Sequence, residues 1–282
     1  MAVVNFEGIT FDGASYDAGF GLADLPGWYD GAPVRDEGRR RPTSNGNFGV
    51  DRFYRDARVI SVQGSWTGSS VEDAYEARAR IEGIQADGRP SRFEVVDHFG
   101  TRWVTARLAS APQCSAELFS PRFTYAFDVI ADDPRKYGEE VVSMTGLPTA
   151  GTGYVWPAVW PADWGSGGDP GRVDVVNPGL AATHPVLEVT GGLSGGVELV
   201  EVVTGSFLRL ERVIPLGSTV FFNTRTARVY LDAPANDISS FLTRRDWGGF
   251  AVPAGGTRTV QFNALGSVTG APKLTARYAP AF

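Results

Sequence analysis

The stretch from Arg58 to Tyr137 leaves this chain few folds to choose from. It opens with Arg58-Val59-Ile60-Ser61-Val62-Gln63-Gly64-Ser65-Trp66, whose alternation predicts a strand. Ser69-Ser70-Val71-Glu72 then has the spacing of a capping box, in which a serine hydroxyl and a glutamate carboxylate each satisfy a free amide of a helix's first turn. Val71, Ala74, Tyr75, Ile81 and Ile84 fall on one helical stripe, with Glu72, Glu76, Arg80 and Glu82 mostly away from it. Gly88 and Pro90 stop the helix. Strands resume around Phe93 and Val95, and again at Val104, Ala106 and Leu108, with a turn at His98-Phe99-Gly100 between them. From Arg122 to Ile130, alternation puts Phe123, Tyr125, Phe127 and Val129 on one face, which must be a core or an interface. The string Asp132-Asp133-Pro134-Arg135-Lys136-Tyr137-Gly138 closes the run. One helix embedded among strands, with no residue that looks like a catalyst, is the layout of a protein that builds something.

A chain of 282 residues suffices for one large or two ordinary domains. Its 35 glycines and 18 prolines, set among Val, Thr, Phe and Tyr, favour short strands joined by turns. Past Phe11 the chain is loop-rich, and Asp24 to Asn47 has no sustained period; a long excursion of that kind is functional or ordered by a partner. From Arg172 on, candidate strands recur at Val173-Asn177, Val186-Thr190, Val197-Val203, Ser206-Arg212, Thr219-Asn223, Ala227-Leu231, Thr257-Asn263 and Leu274-Tyr278, the spacing of a β-sandwich. The expected division is therefore an N-terminal domain over residues 1–145, a Gly/Pro/Trp-rich linker or docking loop over 146–171, and a sandwich over 172–282. Trp156, Trp160 and Trp164 in the linker read as cover for a domain seam, or as an external binding site.

Several chemistries find no support. The formal charge of -6 does not favour a nucleic-acid partner, and Arg39-Arg40-Arg41 reads as a solvated loop tip. Cys114 is the only cysteine, so no internal disulfide forms. No signal-peptide pattern or membrane-spanning run is present, and a soluble protein made in a reducing cytoplasm is expected. His98 and His184 cannot build a His-rich metal site, and no Cys-x-x-Cys occurs. The glycine-rich strings at residues 165–168 and 191–196 lack the Gly-Lys-Ser/Thr ending of a phosphate loop. Asp132-Asp133 and Glu139-Glu140 are adjacent on extended chain and point apart, so neither is a catalytic carboxylate pair. The expectation is a non-enzyme with no cofactor and no metal.

The set as a whole resembles the distal tail proteins (Dit) of long-tailed, non-contractile bacteriophages. The resemblance rests on Arg58 to Gly68 and the helix after it, and on Ala131 to Tyr137. In the second half it rests on Asn177-Pro178-Gly179, Pro185 to Gly191, Leu208-Arg209-Leu210, Leu216 to Val220, Asp246-Trp247, Val252 to Gly256 and Leu274 to Tyr278. It implies a mainly β fold: a tail-tube-like α+β domain with one helix, then a galectin-like β-sandwich. It also implies a homohexameric ring at the distal tip of the virion tail. The ring's partners would be the major tail tube protein, a tail-associated hub protein and, in some members, receptor-binding or other minor tail proteins. The alternative is a carbohydrate-binding module for host-wall glycans. Against a galectin-type sugar site, Asn223, Arg225 and Trp247 are the only suitable groups in reach, and Asn223 with Arg225 reads as a turn cap. Phe123, Tyr125, Phe127, Val129, Trp156, Trp160 and Trp164 are the candidate interface residues, together with the excursion from Asp24 to Asn47.

Overall fold

The computed structural model describes residues 2–13, 19–35, 38, 40–45, 47–49, 53–115, 119–151 and 167–282. The chain divides into two compact units, Met1–Gly138 and Glu139–Phe282.

In the first unit β1 (Val3–Phe6) and β2 (Ile9–Asp12) form a hairpin. Its two turn residues, Glu7 and Gly8, both have positive φ, the geometry that matches the natural twist of paired strands. β3 (Gly19–Asp24) runs parallel to β2 and is followed by a short pair, β4 (Val34–Arg35) and β5 (Tyr54–Arg55). Next come β6 (Arg58–Thr67), helix α1 (Val71–Glu82), β7 (Ser91–Asp97), β8 (Gly100–Leu108), β9 (Gln113–Cys114) and β10 (Arg122–Ala131). The eight-stranded sheet runs β6-β3-β2-β1-β7-β8-β10-β9, and β6 also pairs with β10 along its whole length. That extra ladder closes the sheet into a barrel. Gly64 in β6 is required there: a Cβ would collide with the Gly21 carbonyl and the Tyr125 hydroxyl.

Helix α1 differs in detail from its sequence expectation. The capping box sits one residue later, with Ser70 as N-cap and Asp73 returning a bond to the Ser70 amide. Two acidic residues follow the serine pair, and only Asp73 lies three positions beyond the residue that leaves the helical conformation. The buried stripe is Ala74, Ala77 and Ile81, so Tyr75, assigned to that stripe by period alone, faces outward. Gly83 ends the helix, five residues before Gly88.

The second unit is a sandwich. β11 (Val141–Thr145), β12 (Arg172–Val176), β13 (Val186–Thr190), β14 (Gly196–Glu201), β15 (Phe207–Leu210), β16 (Thr219–Asn223), β17 (Arg228–Leu231), β18 (Leu242–Arg245), β19 (Thr257–Leu265) and β20 (Leu274–Tyr278) make two five-stranded antiparallel sheets. Their orders are β11-β20-β13-β16-β17 and β12-β19-β14-β15-β18. Alternate residues such as Leu187, Val189, Leu199, Val220, Phe222, Val260 and Phe262 face inward and form one shared core.

The expected domain limits move accordingly. β11 pairs along its whole length with β20, so residues 141–145 belong to the sandwich, not to the N-terminal unit. Segment 146–171 is then no inter-domain linker: it connects β11 to β12 within the second unit. At its ends the Thr149 amide donates to the Asp169 carbonyl and the Asp169 amide to the Thr149 hydroxyl, while Leu147 packs on the sandwich core.

Candidate interaction surfaces

Of the residues proposed from sequence as an interface, Phe123, Tyr125, Phe127 and Val129 are all buried in the barrel core. The rings of Tyr125 and Phe127 meet rings from β1 and β2, and Phe6 of β1 in turn meets Phe93 of β7. Phe11 lies 5.4 Å from Tyr125 and 5.6 Å from Phe127, and Phe6 stands 5.3 Å from Phe93. The Tyr125 hydroxyl donates to the Gly21 carbonyl at 3.0 Å, and burial pushes its pKa up. This is a correction to the interface assignment: closing the barrel turns that face of β10 inward. The strand presents Thr124, Ala126, Asp128 and Ile130 on its other face. Trp156, Trp160 and Trp164 lie outside the described residues.

The excursion after β3 behaves differently. Its root is fixed in the barrel by buried Leu25, Trp28 and Ala32. Arg58, itself buried, donates to the carbonyls of Gly27 at 2.8 Å, Asp30 at 2.6 Å and Pro134 at 3.0 Å. Burial, with Arg55 nearby, lowers the pKa of its guanidinium. Lys136 lays its ammonium against the rings of Trp28 and Tyr29, and the Tyr29 hydroxyl donates to Asp97. The closing string singled out in the sequence thus ties three parts of the unit together. Tyr137 exchanges backbone bonds with Trp103, the Trp103 indole donates to the Gly138 carbonyl, and Asp133 accepts from Arg135 and the Tyr137 hydroxyl.

Beyond this root nothing is buried. Every described residue from Pro33 to Asp56 is exposed, including Val34, Phe48, Phe53 and Tyr54. Two strands of two residues each, β4 and β5, are its only ladder among the described residues. An isolated pair of this kind is marginal in water, and exposed aromatics confer nothing on the fold that carries them.

Among the described residues no group of three or more His, Cys, Asp and Glu could hold a metal. An open depression of about 450 Å³ is lined by Gln63, Gln113, Cys114, Ser115 and Thr124, and burial raises the pKa of the Cys114 thiol. The Asp132 carboxylate pairs with Arg107 and the Glu140 carboxylate with Arg277. Asn223 accepts from the amides of Arg225 and Thr226, as expected of a turn cap. Trp247 packs on the sandwich core.

No protein-family model matches the chain, and no curated protein matches it in sequence. Solved structures do match. The SPP1 Dit protein (gp 19.1), described as a paradigm of the hub adsorption apparatus in phages infecting Gram-positive bacteria, aligns at TM-score 0.63 and 15% identity. The alignment covers 100% of this chain and 99% of that one. A chain of the phage P2 baseplate in its activated conformation with Ca aligns at TM-score 0.57 and 9% identity, over 98% of both chains. The same baseplate with Sr gives TM-score 0.55 and 10% identity, over 98% of this chain and 97% of that one. The chain therefore has a Dit-like fold, mostly β, with one α-helix among the described residues, a closed barrel and further sheets.

Proposed function

We propose that this protein is a non-enzymatic structural component of a phage tail tip, assembled as a hexameric ring at the distal end of the tail. The observation that carries the reading is the end-to-end match: barrel, helix and sandwich align in one pass with a phage Dit protein. A local match to either unit would say little, because both architectures serve many purposes. In this role one face of the ring meets the major tail tube protein and the other a tail-associated hub protein, and the sandwich engages receptor-binding or other minor tail proteins. The exposure of the described residues between Pro33 and Asp56 supports self-association, since a ring of identical subunits needs a heterologous contact that closes by rotation. Each such contact should bury on the order of 1,200 Å².

Gold-labelled antibodies raised against the purified protein test the location on phage particles that carry it. Label confined to the tail tip is the expected result. Label on the capsid, or on no part of the particle, contradicts the reading.

A further inference from the structure

We infer that the tip of the exposed excursion docks on the outer face of helix α1 in a second copy of this chain. The inference rests on the self-association part of the proposal above and names the two surfaces that meet.

The first surface is the excursion tip. Arg40 bridges to Asn47 across the hairpin, and the Arg41 guanidinium lies 5.7 Å from the Phe48 ring. All four residues are exposed, and the Arg40 side chain has no partner among the described residues. The described residues from Arg40 to Phe48 include two arginines and no acidic residue, in a chain whose net charge is -6. The tip is therefore basic and aromatic, on a molecule that is acidic as a whole.

The second surface is the outward side of α1. Glu72 and Glu76 stand one helical turn apart and are exposed, with Tyr75 between them about half exposed. Arg78 turns its guanidinium over Phe123 at 5.0 Å and Tyr75 at 5.9 Å. Arg80 lies over Phe20 at 5.5 Å and reaches the Gly8 carbonyl. Among the described residues neither glutamate has an ion-pair partner.

Charge and chemistry are complementary. Two guanidiniums face two carboxylates, and a phenyl ring meets a phenol ring, the aromatic and arginine content that interface centres favour. Both surfaces lie on the same chain and are distinct, so the contact is heterologous. Each copy keeps one free tip and one free helix face, which lets a chain of contacts close into a ring. Exposed ion pairs alone are weak and salt-sensitive, so the aromatic pair must anchor the contact while the charges set its register.

The test is site-directed photo-cross-linking with the full chain. A photoreactive benzoylphenylalanine in place of Phe48 should yield covalent multimers whose adducts map by mass spectrometry to residues 71–79. The double variant R40E/R41E and the double variant E72R/E76R should each lower the yield at least tenfold while circular dichroism stays unchanged. Mixing the two should restore it, because the acidic tip of one variant then meets the basic helix of the other, and the native basic tip meets the native acidic helix. Multimers whose adducts map elsewhere overturn this docking but leave self-association standing. Absence of any adduct between copies removes both.

Discussion

The Lys136 ammonium stands 4.7 Å from the centroid of the Trp28 ring, and that ring is only 1% exposed. The pair joins the end of the first unit to the root of the excursion, so the base from which the excursion projects is stiff. Burial, with Arg58 and Arg102 adding positive charge nearby, pushes the Lys136 pKa down from 10.5 to about 8. The ring face returns part of that cost through its attraction for a cation. The unfolded chain holds this proton up to about pH 10.5 and the folded chain releases it near pH 8. Between those limits the unfolded state binds more protons, so this group's contribution to stability rises with pH. Thermal melts should show Lys136→Met flattening that rise between pH 8 and 10.5. An unchanged pH profile in the variant would mean that Lys136 is not held as described.

Asn177 should be among the least replaceable residues of the sandwich. It is fully buried; its amide group donates to the carbonyls of Ala181, Val252 and Pro253, and its oxygen accepts from the amides of Gly179 and Ala281. Asn177→Ala strands these backbone groups and should destabilise by about 3 kcal/mol. Asn177→Asp should be at least as costly, because a carboxylate would face three carbonyl oxygens. Chemical denaturation measures both, and a loss below about 1 kcal/mol for either would count against the assignment.

A fragment beginning at Glu139 should fold by itself, whereas one beginning at Arg172 should be less stable. The shorter fragment lacks β11, which leaves the ladder of β20 from Leu274 to Tyr278 unpaired on one side, and lacks Leu147 from the core. Circular dichroism melts of the two fragments compare them directly. Equal melting temperatures would show that β11 adds nothing.

The sandwich should not recognise host-wall glycans through Trp247. That ring is engaged with the core, and the Asn223 carbonyl oxygen already accepts two backbone amides. A polyhydroxyl ligand needs preplaced partners to replace the water it sheds. Titration calorimetry with wall oligosaccharides should register no heat of binding. Micromolar binding that Trp247→Ala abolishes would reverse this conclusion.

Much of the fold can be read from residue patterns, and the failures have physical causes. β13, β16 and β20 match their expected limits because inward and outward residues alternate cleanly on a half-buried strand. β11 escaped assignment to the sandwich because it is an edge strand exposed on both faces, with Val141, Val142 and Met144 all in solvent. β3 carries two glycines and no alternation, since Phe20, Gly21 and Leu22 are buried in succession. Trp28 sits between Gly27 and Tyr29 in a stretch without period, so nothing local marks it as core. The surfaces were harder still. A run of large residues such as Phe123 to Val129 signals burial but not by what, and barrel closure by β6 decides it. Glu72 and Glu76 stay without an ion pair among the described residues although Arg80 is on the same helix, because Arg80 turns to Phe20 and the Gly8 carbonyl, which no spacing reveals.

Ring formation is the centre of the account, and electron microscopy of the purified full-length protein tests it most directly. Class averages should show closed six-fold rings with a central opening, together with fewer rings at high salt if the excursion tip is held by charge. Single-chain particles alone, at the highest concentration that stays in solution and at low salt, would contradict the account.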